Sequence, residues 1–138
     1  MKFVVTLPKI ESTNNAHKLG QKGLKAWIYL NPDVVKMQTK IKELLQRQGI
    51  NDVLKDDPEK CYKLSLTFKL NTNYWRRDTS NMFKYVEDGI MKATGIDDSQ
   101  TVAIESRKVQ TKESEETIII DIEVMDKAEW LKGEGHDG

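Results

Sequence analysis

The chain has 138 residues, 32% of them charged and 38% hydrophobic, and its formal net charge is zero. That length suits one domain around one core. No apolar run approaches the roughly 18–20 residues that a membrane span needs, the single cysteine, Cys61, excludes an internal disulfide, and His17 and His136 are too few and too far apart for a zinc site. A reducing cytoplasm is the expected compartment. The charge is unevenly placed: residues 1–77 carry 15 Lys and Arg against 7 Asp and Glu, and residues 78–138 carry the reverse. Such a split fits either a basic surface beside an acidic one or salt-bridged packing of the two halves.

In chain order, residues 2–7 alternate weakly and stop at Pro8, which reads as a strand rather than the core of a signal peptide. Residues 8–24 have loop composition and exceed most structural connections in length, so a functional loop is expected there. Lys25–Leu30 reads as a short strand with Trp27 and Tyr29 on one face. Asn31 followed by Pro32 is a helix start; Val34, Val35, Met37, Ile41, Leu44 and Leu45 supply the apolar side, and Gly49 ends the helix. Residues 50–60 read as a polar linker.

Residues 61–70 give the clearest strand, with Tyr62, Leu64, Leu66, Phe68 and Leu70 on one side and Lys63, Ser65, Thr67 and Lys69 on the other. The lysines of that strand either line a DNA surface or keep an edge soluble. In Asn71–Arg77 an aromatic pair, Tyr74 and Trp75, precedes Arg76 and Arg77; the aromatics either anchor the loop or stack on exposed bases. Thr101–Val109 and Thr117–Met125 read as an antiparallel hairpin around Gln110–Glu116. A last helical turn is expected at 126–132, and residues 133–138 are expected to be a flexible tail outside the 1–132 domain.

The stretch between these elements, Arg76–Gln100, holds the chemistry. On a helical wheel for residues 81–93, Met82, Phe83, Val86, Gly89, Ile90 and Ala93 form the burying arc, and Asn81, Lys84 and Asp88 form a polar column opposite. Asp78 precedes this helix, and Asp97 and Asp98 follow it. Carboxylates at both ends with a lysine between them suit a divalent cation such as Mg²⁺, which needs few protein ligands. The same residues also fit plain helix punctuation. Asp78 then favours the helix dipole, Ser80 is the N-cap, Gly95 the C-terminal glycine, Asp97 and Asp98 turn residues, and Lys84–Asp88 a surface pair.

The run Arg77-Asp78-x-x-Asn81-x-x-Lys84-x-x-x-Asp88, then Gly95-Ile96-Asp97-Asp98-x-Gln100, resembles the signature of the RusA family of Holliday-junction resolvases. Thr6-Leu7-Pro8, Ser12 and Asn14-Asn15 resemble the family's opening, so the likeness spans roughly residues 3–125. It implies a dimeric endonuclease, usually phage- or prophage-encoded, that cuts four-way DNA junctions in pairs using Mg²⁺ or Mn²⁺. Carried over by position, Asp78 and Asp98 match metal-binding, catalytic aspartates, with Asp97 as the neighbouring alternative. Lys84 matches the essential lysine and Asn81 the adjoining asparagine; Asn14, Asn15, Lys69, Arg76 and Arg77 would then face DNA. The family reads Asp-x-Asp-Asn where this chain has Asp78-Thr79-Ser80-Asn81, so a hydroxyl stands in place of a carboxylate. The reading is therefore an α+β, RusA-like domain: a mixed sheet with two principal helices, forming a homodimer on branched DNA. The alternative is a weakened relative that binds branched DNA, or a protein, without cutting.

Overall fold

The computed structural model describes residues 1–12, 17–22 and 25–137, with the side chains of 17–30 left aside. The expected α+β class is what it shows: a mixed four-stranded sheet, a separate two-stranded hairpin and two long helices. The strands are β1 (Lys2–Leu7), β2 (His17–Lys22), β3 (Lys25–Leu30), β4 (Lys60–Leu70), β5 (Thr101–Gln110) and β6 (Glu116–Asp126). The helices are α1 (Pro32–Arg47), α2 (Ile50–Val53), α3 (Thr79–Thr94) and α4 (Lys127–Lys132).

The main sheet has the order β1-β6-β4-β5, with β4 and β5 parallel and the other pairs antiparallel. The expected β5–β6 hairpin does not form, because β4 lies between the two strands. The reason is legible in β6: Ile118, Ile120 and Ile122 are all buried, and Ile119 is half-covered on the opposite face. A strand so rich in β-branched residues gains from neighbours on both edges, and here it pairs with β1 and β4. Lys63 and Lys69 consequently sit on a central strand, not an edge. A second correction falls in the segment expected to be all loop: residues 17–22 form β2, which pairs antiparallel with β3 from His17↔Leu30 to Lys22↔Lys25. The placing of Trp27 and Tyr29 lies outside the described residues.

Both long helices cover one face of the sheet, α1 over β1 and α3 over β5, and pack on each other. Asn31 caps α1 by accepting from the Asp33 amide at 2.9 Å, and Gly49 leaves the helix with φ at 83°, the left-handed region glycine tolerates. Val34, Met37, Ile41 and Leu45 are buried, whereas Val35 points to solvent. The linker expected after Gly49 begins instead with α2, which buries Ile50 and is followed by buried Leu54. Gly89 lets the helices come close, since a Cβ there would lie 3.2 Å from Ile41 Cγ2.

Polar groups between the helices are satisfied. Gln38 donates to the Tyr85 carbonyl, and Lys92 donates to Gln38 Oε1 at 2.6 Å. Gln46 and Asn51 both donate to the Ala93 carbonyl, which α3 itself leaves unpaired near its end. On the outer edge of β1, the Gln48 amide accepts from Val4 N and donates to Val4 O, imitating a missing strand and closing that edge. Beyond α4, the Gly135 amide donates back to the Trp130 carbonyl at 2.8 Å. Among the described residues, no helix is long and apolar enough to cross a membrane.

Candidate functional site around helix α3

The buried arc expected for α3 is present: Met82, Phe83, Val86, Gly89, Ile90 and Ala93 all face the core, with Tyr85 beside them. The helix starts earlier than residue 81, and its N-cap is Asp78 rather than Ser80. Asp78 Oδ1 accepts from the amides of Ser80 at 2.8 Å and Asn81 at 3.3 Å. Ser80 thus stands in the first turn. At the other end Gly95, with φ at 73°, closes the helix and buried Ile96 follows. The helix-punctuation reading of Asp78 and Gly95 therefore holds geometrically, and Asp78 has to serve it whatever else it does.

Asn81, Lys84 and Asp88 lie on the outward side of α3, as the wheel expects. Lys84 Nζ stands 3.8 Å from Asp88 Oδ1, and the two side chains are 65% and 43% exposed. A pair so open to water contributes at most about 1 kcal/mol, which leaves the ammonium available to an anion. Glu87 lies three residues beyond Lys84, about 60° round the helix from it. Burial first, and the Asp98 carboxylate second, push its carboxyl above the usual glutamate range, with Lys84 pulling the other way. Glu87 and Asp98 line one open cavity of about 230 Å³ with Thr101, Val102, Ala103 and Ile104. The signal that could have found Glu87 is its i,i+3 relation to Lys84, which makes the two side chains neighbours on the helix surface.

The adjacent aspartates have different duties. Asp97 caps a 3-10 turn at Asp98–Gln100, accepting from the Ser99 amide at 3.0 Å. That amide, with a contribution from Asp98, holds the Asp97 carboxyl below the ordinary aspartate range. Asp98 is the one that shares a cavity with Glu87. Among the described residues no three acidic, histidine or cysteine side chains converge into a metal-binding group. By donor chemistry, the exposed carboxylates of Asp98 and Asp78 and the half-buried one of Glu87 still suit a hard cation, and Mg²⁺ takes one or two carboxylates with water and phosphate oxygens completing its shell. Two carboxylates line that one cavity, the Glu87 carboxyl held above its usual range, and a divalent cation placed there would offset the charge they share.

Arg77 corrects a sequence expectation. Its expected place is the DNA-facing surface, but its side chain is only 4% exposed and all three guanidinium nitrogens donate inside the protein. Nη1 pairs with Glu116 Oε2 at 2.5 Å and reaches the Thr72 carbonyl, Nε donates to Ser12 Oγ at 3.0 Å, and Nη2 donates to the Ile10 carbonyl. Glu116, wholly buried, also accepts from the amides of Ile10 at 2.8 Å and Asn71 at 2.9 Å. Burial alone pushes the Glu116 carboxyl up. The arginine and the two amides outweigh it and hold the group below the usual glutamate range. This knot ties the chain after β1, the exit of β4 and the start of β6 to the residue immediately before Asp78.

The other expected DNA contacts divide. Arg76 is exposed beside the knot. Lys69 is half-buried and alternates with Phe68 and Leu70, so it points to the sheet face opposite α3, away from that helix. Asn14 and Asn15 lie outside the described residues. The aromatic pair also splits. Tyr74 is an anchor, its hydroxyl donating to the Lys108 carbonyl at 2.7 Å with Lys108 Nζ 4.9 Å over its ring, while Trp75 is 85% exposed. As for the uneven charge, four of the five ion pairs among the described residues join the basic half to the acidic one: the N-terminal amine with Asp121, Lys60–Asp126, Lys63–Glu134 and Arg77–Glu116. Part of the asymmetry is thus spent within the fold. In comparisons with known proteins, no family model matches the chain and no curated protein matches it.

Proposed function

We propose that this protein is a RusA-like, metal-dependent endonuclease that cuts branched DNA, four-way junctions above all, in the cytoplasm of a bacterial host. The observation that carries the reading is the α3 column. Asp78 caps the helix, Asn81, Lys84 and Asp88 lie along its outward side, and Asp98 meets Glu87 in one open cavity beside it. Asp98 and Asp78, with Glu87 beside Asp98, are the residues that would hold Mg²⁺ or Mn²⁺; such an ion polarises a phosphate and lowers the pKa of a bound water. Lys84 supplies the one ammonium on that column and neutralises charge on a phosphate oxygen. Arg76 holds the flanking backbone, and the Arg77 knot fixes the start of α3 so that Asp78 and Lys84 keep their mutual placing. A four-way junction presents matching strands in pairs, so a two-fold homodimer carrying two sites accounts for paired cuts.

One observation favours a second reading: with Ser80 in place of the family's aspartate, no three-carboxylate group forms among the described residues. On that reading the protein binds branched DNA without cutting it. The deciding experiment is cleavage of matched four-way, fork and flap substrates with Mg²⁺, with Mn²⁺ and in EDTA, beside gel shifts. Paired cuts on the four-way substrate support the resolvase; cuts on flaps alone make it a different branched-DNA nuclease. Binding without cuts supports the second reading, and neither binding nor cuts refutes both.

A further inference from the structure

Trp75 is the most exposed large hydrophobic side chain among the described residues, yet it does not sit on a loose loop. It occupies the middle of a 3-10 turn, Tyr74–Arg76, entered through Asn73 in the left-handed region with φ at 49°. The Tyr74 ring meets the indole edge-on, with centroids 5.0 Å apart and planes at 87°. Tyr74 is itself fixed to β5 through Lys108, whose ammonium donates to the carbonyls of Tyr74 at 2.6 Å and Arg77 at 2.9 Å. The turn ends in the buried Arg77–Glu116 pair. The turn that carries the tryptophan is thus fixed at both ends, and the indole presents a large uncovered apolar surface from it.

Its surroundings indicate what covers it. The other apolar side chains that are more than half exposed, Met1, Ile104 and Leu131, lie at the N-terminus, on β5 and on α4, and none of them lines the groove beside the turn. The immediate neighbour of Trp75 is the exposed cation Arg76. The groove beside the turn, about 360 Å³, is lined by Asn71, Thr72, Asn73, Gln110, Thr111 and Lys112, which offer amides, hydroxyls and one ammonium but no carboxylate. An isolated aromatic face flanked by cations and amide groups matches a nucleobase and its phosphate.

We propose that Trp75 is a base-stacking platform that receives an unpaired nucleobase from branched or single-stranded DNA, with Arg76 holding the adjoining phosphate. The proposal rests on the DNA reading above and adds the part of the substrate that reading leaves unassigned: an unstacked base three residues upstream of Asp78. A duplex keeps its bases stacked, so the platform discriminates DNA with open bases from plain duplex.

The test uses the full chain in EDTA, so that binding is read without cleavage. Affinities of wild type, Trp75→Ala and Trp75→Phe are measured for an oligothymidylate, a four-way junction and a plain duplex, beside intrinsic tryptophan emission. Truncating a stacked aromatic weakens binding on the order of tenfold or more. The expected result is that loss for Trp75→Ala on the oligothymidylate and the junction, a smaller loss for Trp75→Phe, and little change on duplex. Emission should be quenched by the first two DNAs in wild type, and that quenching should disappear in Trp75→Phe, leaving only the response of Trp27 and Trp130. If wild type binds and Trp75→Ala binds equally, with no Trp75-dependent quenching, stacking is overturned while the nuclease reading stands. If wild type binds none of the DNAs, the DNA reading falls and the stacking proposal falls with it.

Discussion

Replacing Arg77 by Met removes the guanidinium from a site where five groups depend on it: Glu116, the carbonyls of Ile10 and Thr72, Ser12 Oγ, and indirectly the Asn71 amide that shares Glu116. The carboxylate is left buried and unpaired, a change that costs about 3–5 kcal/mol. For a chain of this length the unfolding entropy is roughly 0.3 kcal/mol/K, so the melting temperature should fall by about 10–17 °C. Were Arg77 a surface phosphate contact, the change would stay within about 0.5 kcal/mol, or 2 °C. The pH dependence sharpens the test. Glu116 has its folded pKa held below the unfolded value, so its contribution is full above about pH 4.3 and is lost as pH falls through the folded value. In Arg77→Met nothing of comparable strength holds that pKa down, so the stability gap between the two proteins should narrow on acidification. Thermal unfolding by circular dichroism at pH 7 and pH 4 reads both effects, and adding Glu116→Gln completes a double-mutant cycle. A melting temperature within 2 °C of wild type, together with a drop in junction affinity, would refute the knot and return Arg77 to the DNA surface.

Other expectations follow from the same geometry. Asp98→Asn should abolish Mg²⁺-dependent cleavage while Asp97→Asn, whose amide oxygen can still accept from the Ser99 amide, keeps most of it; the reverse outcome would make Asp97 the ligand. Lys84→Ala should lose cleavage with a melting temperature nearly unchanged, because its ion pair with Asp88 is largely in water, and a large thermal loss would make Lys84 structural. Ser80→Asp places a carboxylate in the first turn of α3, where the helix dipole favours it, so calorimetry should show tighter Mg²⁺ binding at equal or slightly higher stability; unchanged binding would remove Ser80 from the site. Glu87→Gln should be slightly stabilising at pH 7. The folded pKa of Glu87 is raised, so its cost is present above that value and absent below about pH 4.3, where the mutant's advantage should vanish.

Local patterns carried much of the fold. The alternation from Tyr62 to Leu70, the Asn31-Pro32 start and the burying arc of α3 each depend on residues close in sequence, and each appears as read. What periodicity does not encode is which strands are neighbours. Thr101–Val109 and Thr117–Met125 look like a hairpin because only a short polar turn joins them, yet the apolar density of β6 finds β4 as its partner. Arg77 was misread for a related reason. Its partner Glu116 is 39 residues away, and an arginine beside an exposed arginine gives no local sign of burial. Among the proposed ligands, Glu87 was overlooked because the column was drawn through Asp88 at i+4, and only the fold reveals that Asp98 approaches i+3.

Asp78 holds two duties on one carboxylate, and this decides how the site can be probed. Both capping bonds fall on Oδ1, so the helix start and any cation must share a group whose orientation the Ser80 and Asn81 amides already fix. Alanine at this position removes the cap and costs about 1 kcal/mol before chemistry is considered. Asparagine caps as well as aspartate does, and its side-chain oxygen can accept the same two amide bonds while the negative charge is gone. A nuclease built on this column should therefore separate the two variants. Asp78→Asn should melt close to wild type and fail to cut, whereas Asp78→Ala should fail in both respects. Junction binding in EDTA by Asp78→Asn should be equal to wild type or tighter, since one charge facing phosphate has been removed. If Asp78→Asn cuts as wild type does, the carboxylate is only a cap, and the metal site must be built from Asp98 and Glu87 alone.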